Sequence, residues 1–194
     1  MEQDKIKKVN VGYLLGYIFI PIIVCTICFI LSYLFFKKGN MAVILIMGPS
    51  ILSFLWWILG NTLIYRSKRK RFLSELDQTG FARNHTFYGD NSVVVVDMEN
   101  GEIAILFSWN PFVSYRVSAN RVSKAWVDDG RGGKGFLEGS SRVSFLFMID
   151  DIKIRVNTFT SNQRWRMDSD YILTGISKAD KMVEVIETAQ KKAK

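Results

Sequence analysis

The sequence predicts a membrane α + β protein: a two-helix transmembrane hairpin, then an antiparallel β barrel or sandwich of about six or seven strands with one C-terminal α-helix. Three observations predict it. Two long runs, Val11 to Phe36 and Met41 to Tyr65, contain no charged residue. After a polar stretch containing "YGDNS", apolar residues recur with a period of two. The chain then closes on "SKADKMVEVIETAQKKAK", where the period returns to that of a helix.

The net charge of +8 suggests nucleic acid until it is located. Residues 72–194 are formally neutral, and the whole excess lies in residues 1–71. A nucleic-acid-binding domain carries its positive potential on the folded body, because counterion release from phosphates supplies most of the affinity. No nucleic-acid partner is therefore expected.

Residues 1–65 form the hairpin, with helices over about 11–36 and 41–65. Each run exceeds the roughly 20 residues that a helix needs to cross about 30 Å of hydrocarbon. The first run is too long for a signal-peptide core and no small-residue cleavage site follows it. Only "KKGN", Lys37 to Asn40, separates the runs, so the turn between them is tight. That turn carries two cations, whereas Lys5, Lys7 and Lys8 precede the first helix and Arg66, Lys68, Arg69, Lys70 and Arg71 follow the second. The positive-inside rule then places both termini of this multi-pass chain in the cytoplasm. The basic cluster reads as a stop-transfer signal and a contact to anionic headgroups, each cation contributing on the order of 1 kcal/mol. Trp56, Trp57 and Tyr65 lie towards the same end, where aromatic rings favour the headgroup zone.

Neither apolar run holds an Asp, Glu, Lys, Arg or His, so proton relays and charged filters are not supported. Gly12 and Gly16 form a small-xxx-small pair, a helix-packing seam that serves either the chain's own second helix or a second copy. Pro21 and Gly48-Pro49 are expected to kink their helices by removing backbone donors. Cys25 and Cys28 have C-x-x-C spacing, but amid Ile, Phe and Val in mid-bilayer they read as packing, since that chemistry needs accessible thiolates. The remainder of the chain has no cysteine, which fits a reducing compartment.

Residues 66–80 form a connector helix with Phe72, Leu73 and Leu76 on one side and Gly80 as its stop. Residues 81–194 form the β domain. In "SVVVVDMENGEIAILF" the Asn100-Gly101 dipeptide predicts a two-residue turn pairing Met98 with Ile103, Val96 with Ile105 and Val94 with Phe107. In "SFLFMIDDIKIRVNTF" a turn at Asp150-Asp151 places Phe145, Phe147, Ile149, Ile152, Ile154 and Val156 on one face. "FVSYRV" and "RVSKAWVD" add strands between the hairpins, with Pro111 suited to an edge or a strand start. "YILTGI" is a further candidate strand. The terminal helix spans 177–192, with Ser177 and Asp180 as a capping box and Met182, Val183, Ile186 and Ala189 as its apolar stripe.

This order resembles the bacterial pleckstrin-homology-like domain proteins, which pair a bent antiparallel barrel with one C-terminal helix and often follow two transmembrane helices. The resemblance covers roughly residues 81–194 and is carried by the element order, the two hairpins and the "ADKMVEVIETA" helix. It implies a binding or oligomerisation module at a membrane.

Catalysis needs a nucleophile or base with a second group to orient it. His85 is the single histidine and has no ligand-spaced partner. Asp128-Asp129 and Asp150-Asp151 stand at strand ends, where Asp stabilises turns. The glycine-rich segment 130–142, with Arg131, Lys134 and Arg142, departs from the Walker pattern because Gly135 follows the lysine. No enzyme activity, cofactor or metal is expected.

The expected function is a membrane-anchored interaction or scaffold module that recruits an unidentified protein partner or forms a homo-oligomer; the alternative is a subunit of an oligomeric membrane channel or secretion apparatus. Leu146 and Met148 point away from the core face of their strand, beside Lys153 and Arg155. With Trp165, which otherwise closes one end of the barrel, they form the candidate partner surface.

Overall fold

The structure, a computed structural model, describes residues 6–35, 40–89, 91–131 and 139–194. The Lys37–Gly39 part of the inter-helix turn, and Lys134 with most of the glycine-rich segment, lie outside the described residues. The chain divides into two compact units: Lys7–Arg71 with Ser108–Phe112, and Ile6 with Phe72–Phe107 and Val113–Lys194.

In the first unit α1 runs over Val11–Phe35 and α2 over Asn40–Leu55. A π-helical turn at Trp56–Gly60 joins α2 to α3, Asn61–Gln78. Val11–Leu34 and Met47–Gln78 are each long and apolar enough to cross a membrane. The second helix therefore has no break near residue 65 and passes into the connector without interruption. Its end is the expected one: Gly80 takes φ +72° and the Phe81 N–H donates to the Leu76 carbonyl at 3.2 Å.

The helices are antiparallel, since Tyr13 meets Asn61, Tyr17 meets Trp56, and Cys25 meets Ser53. The face of α1 withdrawn from solvent is Tyr13, Tyr17, Pro21, Cys25, Cys28 and Ser32, at three- and four-residue spacing. The cysteines are free and lie on this packed face, Cys25 Sγ being 3.1 Å from Ser53 Oγ.

The described residues form seven strands: β1 His85–Tyr88, β2 Ser92–Asp97, β3 Glu102–Phe107, β4 Asn110–Ser118, β5 Val122–Asp128, β6 Gly139–Ile149 and β7 Ile152–Arg166, all in the second unit except the first three residues of β4, which belong to the first. They form two antiparallel sheets, β1-β2-β3-β4 and β5-β6-β7, not a closed barrel. The interruption falls where β4 gives way to β5 through a single 3₁₀ turn, Ala119–Arg121, whose Asn120 N–H is accepted by the Ser118 hydroxyl. Pro111 stands near the start of β4, an edge strand, as its missing donor requires.

The second hairpin has the expected register, Ile149 opposite Ile152 and Phe147 opposite Ile154, with Asp150 and Asp151 both at positive φ. The first does not. Its pairs are Val96 with Ile103 and Val94 with Ile105, so four residues, not two, make the turn. The Asp97 carboxylate decides this by accepting the N–H groups of Glu99 and Asn100 at 3.0 and 2.9 Å and the Asn100 side chain at 2.8 Å. A slip of two leaves every side chain on its intended face. Gly101 takes φ +64° in this turn, and a Cβ there would lie 2.5 Å from the Ala193 nitrogen.

The core is built from the inner faces of both sheets, including Val94, Val96, Ile103, Ile105, Phe145, Phe147, Ile154 and Val156, covered by α4. The outer positions Val93, Val95, Ala104 and Leu106 are buried too. Four consecutive valines signal a strand enclosed on both sides, whereas alternation signals one with a solvated face. Phe72 and Leu76 of α3 line a groove of about 190 Å³ with Ala104 and Tyr115 on that outer side.

The C-terminal helix α4 spans Asp170–Lys192 with Ser169 at its N-cap position. Tyr171–Ile176 is thus its first turns and not a strand, and Ser177 and Asp180 stand mid-helix, not in a capping box. Ile172, Gly175, Ala179, Ile186 and Ala189 continue one buried stripe, which favours helix over a further strand. A Cβ on Gly175 would lie 2.8 Å from Phe159 Cβ, so glycine lets this helix approach β7 closely.

Candidate functional site: the aromatic and basic end of the helical unit

Asn10 starts α1. Its side-chain oxygen accepts the Tyr13 N–H at 3.1 Å and its carbonyl accepts the Leu14 N–H at 2.9 Å, the two bonds of an N-cap. One turn further on, the Tyr17 hydroxyl lies 2.7 Å from the Trp56 carbonyl and 2.8 Å from that of Trp57, and accepts the Asn61 N–H at 3.2 Å. These are the backbone groups that a π turn displaces from the ordinary helical ladder, and the hydroxyl satisfies them. Gly60 makes the turn possible, because a Cβ there would lie 2.9 Å from the Trp56 ring. The Tyr13 hydroxyl donates to Asn61 Oδ1 at 2.9 Å, so Asn61 works as a helix-packing residue.

The Ser108–Phe112 segment belongs to the same unit. The Asn10 N–H donates to the Trp109 carbonyl and Asn110 Nδ2 to the Lys7 carbonyl, both at 2.9 Å. Tyr13 meets Phe112 edge-on at 5.4 Å between centroids, and Tyr17 meets Trp109 edge-on at 5.6 Å. Tyr17 also lies 5.6 Å from Trp56. Sequence reasoning missed Tyr13, Tyr17, Trp109 and Phe112. The available signal was "SWNPF", a tryptophan in the turn after β3 and a phenylalanine at the start of β4, where polar residues are usual at the turn.

The basic cluster lies on α3. Arg66, Lys70 and Arg71 are exposed, while Lys68 and Arg69 are partly covered. At 100° per residue the five cations surround the helix, with none of the one-sided segregation of a helix lying flat on a surface. The Lys68 ammonium stands 4.9 Å from the Phe112 ring centroid, and the Arg69 guanidinium 6.0 Å from that of Tyr65.

Among the described residues a Cβ added at Gly12 or Gly16 meets, within 4 Å, only Asn10 at 3.4 Å and Ile20 at 3.7 Å, so neither glycine is a close-approach point between α1 and α2. The seam uses the Tyr13–Ser32 face instead.

The candidate partner surface on the second unit is corrected at Leu146. Leu146 is fully buried, between Trp126 and Arg155 in the sheet register. Trp165 is partly buried against the core, its Nε1 donating to Ser161 Oγ at 3.1 Å and its ring 4.7 Å from that of Tyr171. Strand β7 continues to Arg166, which carries Trp165 back over the body. Besides Trp165, what stays accessible is Met148, half-buried; Lys153, exposed, with its ammonium 5.3 Å from the Trp126 ring; and Arg155, paired with Asp128 at 3.1 Å.

His85 is exposed and stacks on Phe87 at 6.1 Å. Among the described residues no group of three or more His, Cys, Asp or Glu is placed to hold a metal ion. Burial by itself raises the Asp97 pKa, but the bonds from Asn100, Ala82 and Glu99 outweigh it and hold the carboxyl below its usual value. These groups build a turn.

Comparison with protein-family models, with curated proteins and with solved structures finds no match to this chain.

Proposed function

We propose that the chain is a non-enzymatic, membrane-anchored interaction module. Its helical hairpin spans a bacterial inner membrane, both termini are cytoplasmic, and the two-sheet unit recruits a protein partner or a second copy. The observation that carries this reading is the succession on one continuous helix of an apolar span with outward-facing Ile51, Leu52, Phe54 and Leu55, then a tryptophan pair, then cations on every side. A helix crossing hydrocarbon, interface and headgroup zone in turn has this order of side chains. The four-plus-three sheet arrangement under one C-terminal helix supports the pleckstrin-homology-like reading of the second unit.

Sodium carbonate extraction of cell membranes tests the anchor. The reading expects the full chain to stay in the pellet. Release into the supernatant, as for a peripheral protein, contradicts it.

A further inference from the structure

We propose that the Ser108–Phe112 segment is a second membrane contact, in which Phe112 enters the headgroup zone of the bilayer and Lys68 beside it meets lipid phosphate. This rests on the membrane-spanning reading of α1 and deepens it.

The placement of the segment carries the argument. Its backbone is bonded through Trp109 to Asn10, the residue immediately before the apolar run of α1, and through Asn110 to Lys7. It is therefore held at the boundary where charge ends and hydrocarbon-compatible sequence begins. Tyr13 and Tyr17, in the first two turns of that run, brace Phe112 and Trp109 edge-on. Phe112 nevertheless keeps 57% of its surface exposed. Phe112 is the third residue of edge strand β4 and the next residue, Val113, is 42% exposed, so a ring fixed in place by contacts from its own unit adjoins a second open apolar side chain, a pairing suited to an apolar environment outside the chain.

The chemistry identifies that environment. An aromatic ring with an ammonium group 4.9 Å from its centroid, and Lys7 and Lys8 exposed on the adjoining segment, presents an apolar tip rimmed by cations. A phospholipid interface offers the complement, with acyl chains and glycerol beneath and phosphate above. The contact continues the Tyr13, Tyr17 and Trp56 group along the same boundary. The fit is to lipid because the ring stands where α1 itself would leave the bilayer.

The test places 4-fluorophenylalanine at Phe112 in the full chain, reconstituted in nanodiscs containing phosphatidylglycerol, with a second sample labelled at Phe29 on α1. The fluorine spin relaxation is read against dissolved oxygen, a water-soluble nickel chelate and a headgroup nitroxide lipid. The substitution adds one fluorine and leaves the packing intact. The expected result at Phe112 is strong relaxation by the headgroup nitroxide and by oxygen, with at least a threefold weaker response to the chelate than the same label at exposed Tyr88. Full chelate response at Phe112 with an oxygen-only response at Phe29 overturns the proposal and leaves the spanning helix standing. Insensitivity of Phe112 to all three agents means that protein covers the ring, which also overturns it. Chelate response at Phe29 as well shows that α1 is not in the bilayer, which is failure of the underlying reading.

Discussion

The hydroxyl of Tyr17 lies 2.7 Å from the Trp56 carbonyl, tying α1 to the one turn of the second helix that departs from α geometry. A π turn inserts an extra residue and rotates the downstream part of a helix by about 100° relative to the upstream part. Tyr17 thus helps fix the rotational setting of α3, including Lys68, against α1.

Tyr17→Phe removes the hydroxyl and keeps the ring. Losing bonds to enclosed backbone groups costs about 1–3 kcal/mol. Amide exchange at Trp56–Asn61 is expected to accelerate while exchange in β2 and β3 stays unchanged. Unaltered exchange at Trp56–Asn61 contradicts the assigned role.

Gly175 faces Phe159 Cβ, with 2.8 Å left for any Cβ of its own, and Val143 at 3.3 Å. Neither contact is the far end of a flexible side chain. Gly175→Ala gains about 1 kcal/mol of helix propensity, but overpacking of about 1–3 kcal/mol is expected to outweigh it. Thermal unfolding should show a lower Tm. A Tm raised by the substitution would mean that α4 moves away freely.

Leu146 and Met148 sit two residues apart on one strand face and are expected to respond differently. Leu146→Asp replaces a fully buried apolar side chain with a carboxylate that can only compete with Asp128 for Arg155, and should lower stability by about 3 kcal/mol. Met148→Asp, at a half-exposed site, should cost under about 1 kcal/mol and instead weaken partner capture. Equal losses of Tm in the two variants would refute the assigned difference in burial.

Much of the fold was legible in the sequence. Unbroken apolar runs announced two helices, the Asp150-Asp151 turn set the register of β6 with β7, and the stripe Met182, Val183, Ile186 and Ala189 announced α4. Other features depend on distant partners. The Asn100-Gly101 dipeptide prefers a two-residue turn, yet Asp97 bonds to Glu99 and Asn100 and lengthens it, aided by Ala82 from fifteen residues upstream. "YILTGI" has β-like composition, but packing of Gly175 against Phe159 selects helix. Strand β1 is four residues long and exists through its pairing with β2. Alternation alone predicts an exposed Leu146, because it reports the face of a strand and not the cover over that face. The aromatic group around Tyr13 and Tyr17 joins residues about 95 positions apart in sequence, beyond the reach of local periodicity.

Asp97 also confers a pH dependence. Its folded-state pKa is lowered from the ordinary 3.8, so its contribution is complete above that value and is lost as pH falls through the depressed one. Acid unfolding of the full chain should therefore steepen below pH about 4, and Asp97→Asn should flatten the curve there while lowering stability at neutral pH. An unchanged acid limb in the variant contradicts the role of this carboxylate.

Reporter fusions at Asn40 and Lys194 test the central claim most directly. Alkaline phosphatase, active only outside the cytoplasm, is expected to be active at Asn40 and inactive at Lys194, with a green fluorescent reporter showing the reverse. The proposed orientation rests on the five-cation flank after the second helix against two cations in the turn. Phosphatase activity at Lys194 would place the two-sheet unit outside the cytoplasm and contradict the account.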